Sequence, residues 1–498
     1  MMQELIYALP LTLIFILSIA VIMVDAFTGK NKTITYYFSI AGLFSVILSS
    51  IYTMSFSSAD LTKVAYEGLI SKGMLTYGGY AAFFDILFAV AGILTIVAAR
   101  PYLTREYGEY KEFYSLIIFA ISGMMTIAHA SNMVTIFVGV EIMSITFYVL
   151  AGFIRTRITS VEAALKYFLL GSFASGFLLY GMAMVYGATG TLQLQEISAK
   201  IATGEIVNIY LQIGLALLII GLSFKVAAFP FHQWAPDVYT GSPTVVTGFM
   251  STAGKAAALV AFIVIAKSLL PTNFGATLLN EKLILVKQFT EDATMIIALI
   301  SAATMLIGNI TAIAQKNVKR MLAYSSVAHA GYLMMGIVAN NENGFAGIIF
   351  YSTAYMLMQI GAFVVVGVLE RDDTKFQQIS DYSGLRKSHP YLAAVMALFM
   401  FSLAGIPPMA GFPGKYMLFT AAVQSGYTWL TIVAVVSSII SMWFYIGLVL
   451  NMYFKEKEGE ALVADVKSSH FTIAVSVIGV IILGILPSFL IDLAKNFF

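Results

Sequence analysis

The chain has 498 residues, of which 59% are hydrophobic and only 11% charged, and its mean hydropathy is +0.88. A soluble domain carries roughly a quarter charged residues, so this composition excludes an ordinary soluble protein and points to a chain built for lipid. A net charge of +2 gives no reason to expect nucleic acid as a partner, and zero Cys excludes disulfides, thiolate zinc sites and iron–sulfur clusters held by this chain.

The opening segment MMQELIYALPLTLIFILSIAVIMV has no basic leader and no small-residue cleavage site, so it reads as a retained first helix. Runs of about 20 mostly apolar residues, the length of a spanning helix, follow at regular intervals. They predict spans at 5–24, 34–54, 80–99, 113–129, 133–152, 163–186, 211–231, 242–267, 294–315, 320–339, 344–369, 391–424 (interrupted), 428–453 and 471–491. The expected fold is an all-α polytopic membrane protein of about 14 transmembrane helices.

Basic residues orient it. Of the 28 Lys and Arg, 17 fall in loops after odd-numbered spans, among them Lys30, Arg100, Arg155, Arg157, Lys316 and Lys319. Only 7 fall after even-numbered spans or in the tail, among them Lys63, Lys72, Lys200 and Lys282. The excess of Lys and Arg marks cytoplasmic loops, so both termini are expected on the outer, periplasmic side. The remaining 4, Lys166, Lys225, Lys255 and Lys415, fall inside spans.

Two spans are broken. Span 7 ends in GLSFKVAAFPFHQWAPDV, with Pro230 and Pro236, and span 12 contains LAGIPPMAGFPGKYMLF, with Pro407, Pro408 and Pro413. Proline removes a backbone donor, and broken backbone at membrane depth survives only inside protein or beside a water-filled cavity. Interruptions five spans apart suggest internal repeats. The expected division is an N-terminal three-helix segment (1–112), a first five-helix repeat (113–267), a second, inverted repeat (294–453) and a last helix (454–498). A short shared pattern, Phe229-Pro230-x-His232 and Phe412-Pro413-x-Lys415, pairs Lys415 with His232.

A central lysine costs about +2.5 to +3.5 kcal/mol on insertion scales, so four cost roughly 10–14 kcal/mol. They persist only if paired, hydrated or used. Burial favours the neutral amine and a nearby carboxylate favours the ammonium, so a buried lysine can bind and release a proton. Glu141, mid-span in FVGVEIMSITFYV, is the candidate carboxylate of such a relay; its structural alternative is a hydrogen-bonded acid facing a neighbouring helix. Lys225, five residues before Pro230, is the candidate carrier of the first half, or else simply neutralises the carbonyls of a broken helix end. Lys255, among Ala253, Gly254, Ala256 and Ala257, is a candidate central carrier or an interhelical contact. Lys415, after the second break, is the carrier of the second half or a snorkelling side chain. Lys166 lies about one turn inside span 6, where snorkelling competes evenly with function. His232 and His329 sit in apolar segments, where a histidine is either a satisfied polar contact or a relay. His129, His389 and His470 lie at span ends and read as ordinary interface residues. No His/Asp/Glu spacing suits a metal, and no P-loop, dinucleotide fingerprint or serine elbow is present.

The stretch FKVAAFPFHQWAPDVYTGSPTVVTGFMSTAGKAA resembles the signature region of the antiporter-like membrane subunits of proton-pumping NADH–quinone oxidoreductase, respiratory complex I. FVGVEIMSITFYVLAGF, EAALKYFLLGSFASG, NVKRMLAYSSVAHAGYLMMG and FSLAGIPPMAGFPGKYMLF agree, in order, from about residue 80 to 455. Tyr-x-Gly-Ser-Pro after Pro236-Asp237-Val238 favours the subunit N branch over L and M. The resemblance implies 14 helices, two inverted five-helix repeats and discontinuous helices 7 and 12. It implies an ion pair of Glu141 and Lys225, a central carrier Lys255, a terminal Lys415, and relay positions at Lys166, His232 and His329. Pro407-Pro408 and Pro413 depart from the family pattern. The resemblance also implies no cofactor in this chain: NAD, FMN, iron–sulfur clusters and quinone lie in or between partner subunits. The partners it implies are the other membrane subunits of complex I, antiporter-like neighbours included, with the bilayer and protons and no nucleic acid. Separating Glu141 from Lys225 would then reset the proton affinity of Lys255 and Lys415. A unit charge at about 4 Å, at an effective dielectric near 20, acts with roughly 4 kcal/mol. The alternatives are a subunit of a Mrp-type cation/proton antiporter, with no redox partner, and a purely structural membrane subunit.

Overall fold

The computed structural model describes residues 2–28, 32–56, 72–106, 110, 112–204, 206, 208–271, 281–370, 376–456 and 469–497. Among these the chain is helical throughout, with three isolated β-bridges and no strand. In chain order the helices are α1 (Leu9–Phe27), α2 (Lys32–Met54), α3 (Gly79–Glu106), α4 (Glu112–Ala128), α5 (Met133–Ala151), α6 (Ile158–Thr189), α7 (Ile209–Val226), α8 (Trp234–Gly241), α9 (Thr244–Leu269), α10 (Glu281–Ile313), α11 (Val318–Ala339), α12 (Glu342–Leu369), α13 (Pro390–Ala404), α14 (Gly411–Gln424), α15 (Thr428–Phe454), α16 (His470–Ile485) and α17 (Ser488–Lys495). Eleven are long and apolar enough to cross a membrane singly, and the bent pair α16–α17 makes a twelfth span. With α4 and the pair α13–α14, every one of the fourteen spans expected from the sequence falls on a helix. The basic residues Lys30, Lys63, Lys111, Arg371, Lys375, Lys457 and Lys467 lie outside the described residues.

Burial sorts the helices. The apolar window of α9 is 100% buried and those of α11 and α12 are 94% buried, whereas α1 is 33% buried. In water such a gradient would put apolar side chains inside. Here the rim is apolar as well as the core: Ile16, Ile19, Phe173, Ile439 and Trp443 all point outward, while the buried centre holds Lys225, Lys255, His329 and Lys415 among its apolar side chains. That is the arrangement expected when the solvent is hydrocarbon.

Several boundaries differ from the sequence reading, each for a local reason. Span 7 ends at Val226, five residues before 231, because Ala227 takes a left-handed conformation (φ 59) and turns the chain ahead of Pro230. Span 9 begins at Glu281 rather than 294: the polar residues Gln288, Glu291 and Asp292 continue the same helix. Span 14 is bent by 79° at the Leu486–Pro487 break. Span 8 contains a π-turn over Met250–Gly254, immediately before Lys255, an irregularity that apolar run length cannot reveal and that often marks a functional position. Arg157 and Lys319, counted as loop charges, are both buried at helix starts.

Two matched features recur along the chain. Asn132 caps α5 and bridges to Gln193, and Asn317 caps α11 and bridges to Gln378; each pair is 61 residues apart. The two breaks also close alike. The Ala227 and Gly405 caps are both left-handed, and the next amide reaches back five residues, Ala228 to the Ser223 carbonyl and Ile406 to the Phe401 carbonyl. The break closures are offset by 178 residues, which pairs Lys415 with Asp237, whereas the asparagine caps and their bridges are offset by 185. The closure of the breaks thus gives a register different from the Phe-Pro pattern, which pairs Lys415 with His232: the bend is set by the αL cap, and the Phe412-Pro413 dipeptide lies inside α14, past the break.

The crossing of α4 and α5 fixes the approach of the candidate carboxylate. A Cβ on Gly139 would stand 2.8 Å from the Gly123 carbonyl oxygen and 2.9 Å from the Ile127 amide, both backbone atoms that cannot yield. Gly139→Val should destabilise the protein by about 1–3 kcal/mol through overpacking, read as a lower Tm of the detergent-solubilised protein, whereas a substitution at Gly187, whose Cβ would meet open space, should leave Tm unchanged.

Candidate functional site: a chain of buried amines

The carboxylate comes first. Glu141 lies two turns into α5, half-buried, and accepts a short hydrogen bond from the Ser175 hydroxyl of α6. The Lys225 ammonium on α7 bonds the Ser144 hydroxyl at 2.9 Å and the Ser175 hydroxyl at 3.3 Å. Ser175 therefore stands between acid and amine, and no direct Glu141–Lys225 ion pair exists among the described residues. The expected pair is present as a hydroxyl-bridged one. The structural alternative for Lys225, neutralising the broken helix end, is filled by another side chain: the Trp234 indole N–H donates to the Phe224 carbonyl at 3.1 Å, with its ring stacked between Tyr167 and Phe224.

Lys255, 2% exposed, follows the π-turn of α9 and donates to the Ser326 carbonyl (2.6 Å) and hydroxyl (2.5 Å) of α11. From there α11 carries the polar stripe onward. Ser326, His329 and Tyr332 recur every three residues and share one face, covering about 9 Å of helix. His329 Nδ1 is 2.7 Å from the Tyr351 hydroxyl and Nε2 is 2.9 Å from the Tyr445 hydroxyl, and the Tyr355 ring lies against it at 4.8 Å. Tyr332 ends the stripe beneath the Lys415 ammonium, 4.9 Å from its ring centroid, a cation–π distance.

Lys415 is 4% exposed. It sits on α14, across the second break, and reaches back to the open end of α13, donating to the Leu403 and Ala404 carbonyls at 3.1 Å each and to the Ser438 hydroxyl at 3.0 Å. The unsatisfied carbonyls of a helix C-terminus carry partial negative charge, so the broken helix itself is the counter-charge. Gly405 makes room: its hypothetical Cβ would be 3.2 Å from the lysine stem.

Lys166 and His232 stand apart from this row. Lys166 is partly exposed and pairs with Glu162 (2.6 Å) and Asp237 (3.0 Å) at the rim of a polar cavity of about 480 Å³. Arg320 shares Asp237 at 2.7 Å. His232 is half-buried beside the Phe229 ring, and among the described residues no hydrogen bond joins it to the lysines. Behind the cavity is a charge cluster the sequence reading missed. Glu370, just past α12, accepts from the Thr244 hydroxyl and from Gln377 (2.6 Å) and faces Arg157 (3.5 Å) and Lys319 (3.7 Å). Burial alone raises the Glu370 carboxyl, but Lys319, the Thr244 hydroxyl and Arg157 outweigh it and hold it below the usual carboxylate range.

The chain matches the profile of the NADH:quinone oxidoreductase/Mrp antiporter transmembrane family over residues 130–441. The chain belongs to this family. The match begins just before α5 and ends within α15, so it includes all four helices that bear Glu141, Lys225, Lys255 and Lys415. The family member "NADH-quinone oxidoreductase subunit N 1" of Chloroherpeton thalassium is 42% identical over 496 residues, covering 100% of this chain and 98% of that one. "NADH-quinone oxidoreductase subunit N" of Trichlorobacter lovleyi is 40% identical, covering 92% and 94%. Among solved structures, a chain of respiratory complex I from Thermus thermophilus with bound aureothin superposes with a TM-score of 0.78 at 30% identity, covering 98% of this chain and 99% of that one. A chain of the Mrp complex from Dietzia shares the family fold, with a TM-score of 0.79 at 20% identity over 100% and 97%.

The Trp234 cap gives a check on this geometry. Trp234→Phe keeps a stacked ring but removes one of the two donors to the Phe224 carbonyl, which keeps the Ala227 amide at 3.0 Å, a loss of about 0.5–1.5 kcal/mol. Thermal unfolding should show it as a clear fall in Tm, and an unchanged Tm would mean that the indole N–H does not cap α7.

Proposed function

We propose that this chain is an antiporter-like membrane-arm subunit of an NADH–quinone oxidoreductase, and that it moves protons across the membrane, driven by quinone reduction in partner subunits. The observation that carries the reading is two polar runs inside the bundle, Glu141, Ser175 and Lys225 in one, and Lys255, Ser326, His329, Tyr332 and Lys415 in the other. A scaffold gains nothing from three buried amines that each cost kilocalories. The curated relatives of 42% and 40% identity are named as subunits of that oxidoreductase, whereas the likeness to the Mrp chain at 20% identity is one of fold.

The chemistry of this chain is proton binding and release. Each amine takes up one proton and gives up the same proton; hydroxyl and imidazole groups can accept on one side and donate on the other. Moving a proton or a carboxylate near Lys225 changes its field by an amount comparable with its desolvation cost. Lys166, Asp237 and Arg320 line the polar cavity at the end where the basic-residue bias places the cytoplasm, and serve as its uptake mouth. His232, in the first break, is a further relay position on the resemblance to the family, without a hydrogen bond to the lysines among the described residues. The first repeat spans 113–267 and the second, inverted, spans 294–453; the matched asparagine caps and break closures support this division. Both termini lie on the outer face of the cell inner membrane. NAD, FMN, iron–sulfur clusters and quinone belong to partner subunits, and among the described residues no group of three His, Cys, Asp or Glu could hold a metal.

Native purification should bring down the NADH-oxidising and iron–sulfur subunits with this chain. In that assembly Lys225→Ala and Glu141→Ala should each lower proton pumping coupled to NADH oxidation by about tenfold or more, which is ~1.4 kcal/mol per tenfold. Full pumping in both variants with normal assembly would refute the relay.

A further inference from the structure

Asp85 and His129 make a third buried titratable site, remote from the lysines and from the Glu370 cluster. Asp85 is 0% exposed, near the start of α3, and His129 is 1% exposed, just past the end of α4. Their helix also locates them. Tyr102, 17 residues along α3, is hydrogen-bonded to Glu370, so the two clusters are about 25 Å apart at opposite ends of one helix.

The imidazole faces two oxygens. Nδ1 is 2.7 Å from the Thr76 carbonyl and Nε2 is 2.9 Å from Asp85 Oδ2. A backbone carbonyl only accepts, and so does an ionised carboxylate. A neutral histidine beside an ionised aspartate has one N–H for these two contacts. Whichever nitrogen carries it, the other presents a lone pair to an oxygen inside the protein, where an unmade hydrogen bond is costly. One added proton satisfies both contacts, either as imidazolium with carboxylate or as neutral imidazole with carboxylic acid. Among the described residues the only charged group acting on each side chain is the other, and the Thr76 carbonyl, the Ser50 hydroxyl and the Tyr77 ring also bear on the pair.

The pair fastens a seam between chain segments. The Thr76 amide donates to the His129 carbonyl at 2.7 Å, while the Thr76 carbonyl takes the imidazole. The Ser131 amide donates to the Met74 carbonyl at 3.1 Å, the Ser131 hydroxyl reaches the Gly73 carbonyl at 2.6 Å, and Leu75 bridges to Ala130. The turn before α3 is thereby tied to the corner between α4 and α5, the helix of Glu141.

We propose that Asp85 and His129 form a proton-binding clasp, which holds one exchangeable proton between them and keeps this seam closed only while that proton is bound. The ligand is a proton from the membrane face opposite the Asp237 cavity. Losing it returns the pair to one N–H for two acceptors, and the seam opens.

The full chain in its native assembly, with ¹⁵N-labelled histidine and ¹³C-labelled aspartate, tests this by solid-state NMR. The His129 signals are identified among five histidines by their loss in His129→Asn, or by their shift in the near-isosteric Asp85→Asn. At neutral pH His129 should carry protons on both nitrogens, or Asp85 should show an acid carboxyl. A singly protonated His129 together with an ionised Asp85 overturns the proposal. Hydrogen exchange at the Thr76 and Ser131 amides gives the second readout. Asp85→Asn supplies a neutral donor to Nε2 and needs no added proton, so its seam should stay closed as pH rises. Wild type and variant should exchange alike near neutral pH, and wild type should outrun the variant by about tenfold once the clasp proton is lost at high pH. Equal exchange at every pH would make the pair a fixed structural contact and end the proposal.

Discussion

An amine in hydrocarbon must find its compensation from the protein, because the surrounding solvent supplies none. Most of this structure follows from that requirement. Lys225 finds two serine hydroxyls and, beyond one of them, Glu141. Lys255 finds both polar atoms of Ser326. Lys415 finds the open end of a helix that stops in mid-membrane. The most buried helix, α9, carries Lys255, and α11, next together with α12, contacts both Lys255 and Lys415; the breaks at Ala227 and Gly405 expose the carbonyls that a continuous helix would have spent on itself.

The fold class and the amines were legible because both are departures from a strong background. Fourteen apolar runs against 11% charge leave little choice of architecture, and a lone lysine within such a run stands out. The serines were not legible. A serine in an apolar helix commonly bonds the carbonyl one turn back, as Ser18 and Ser39 do here, so nothing in the sequence separates those from Ser144, Ser175 and Ser326. The tyrosines around His329 come from three helices, α11, α12 and α15, and only the fold brings them together.

Other misses had visible signals. Asp85 stands in FFDILFAV as isolated among apolar residues as Glu141 is in its own span, and the same argument applied to both. His129 was set aside for lying at a span end, yet the end of α4 is packed under the turn before α3. Lys319 was counted as a loop charge because the run-length boundary fell at 320, one residue late; the Asn317 cap, whose side chain accepts from the Arg320 amide, places it in the first turn. The Phe-Pro pattern misled for a physical reason. A proline in the first turn of a helix needs no donor, so Pro413 fits inside α14 and marks no break, while the bend is set upstream by Gly405.

The offset of 178 residues between the two breaks exposes an asymmetry that the chemistry depends on. In the register of the breaks Asp237 occupies the place of Lys415, and Trp234, the first residue of α8, does for α7 what Lys415 does for α13. In the first break the helix end is capped by a group that cannot titrate, so Lys225 is left to answer to Glu141 through Ser175. In the second the cap is the titratable group itself, and its counter-charge is a helix dipole that disappears only if α13 and α14 move apart. The first amine is therefore governed by where a carboxylate and its proton stand, and the second by whether a break is open or closed. A rigid stripe on α11, Ser326 to Tyr332, touches both Lys255 and Lys415. In the proposed relay this stripe is where a change of charge on one side would meet a change of geometry on the other.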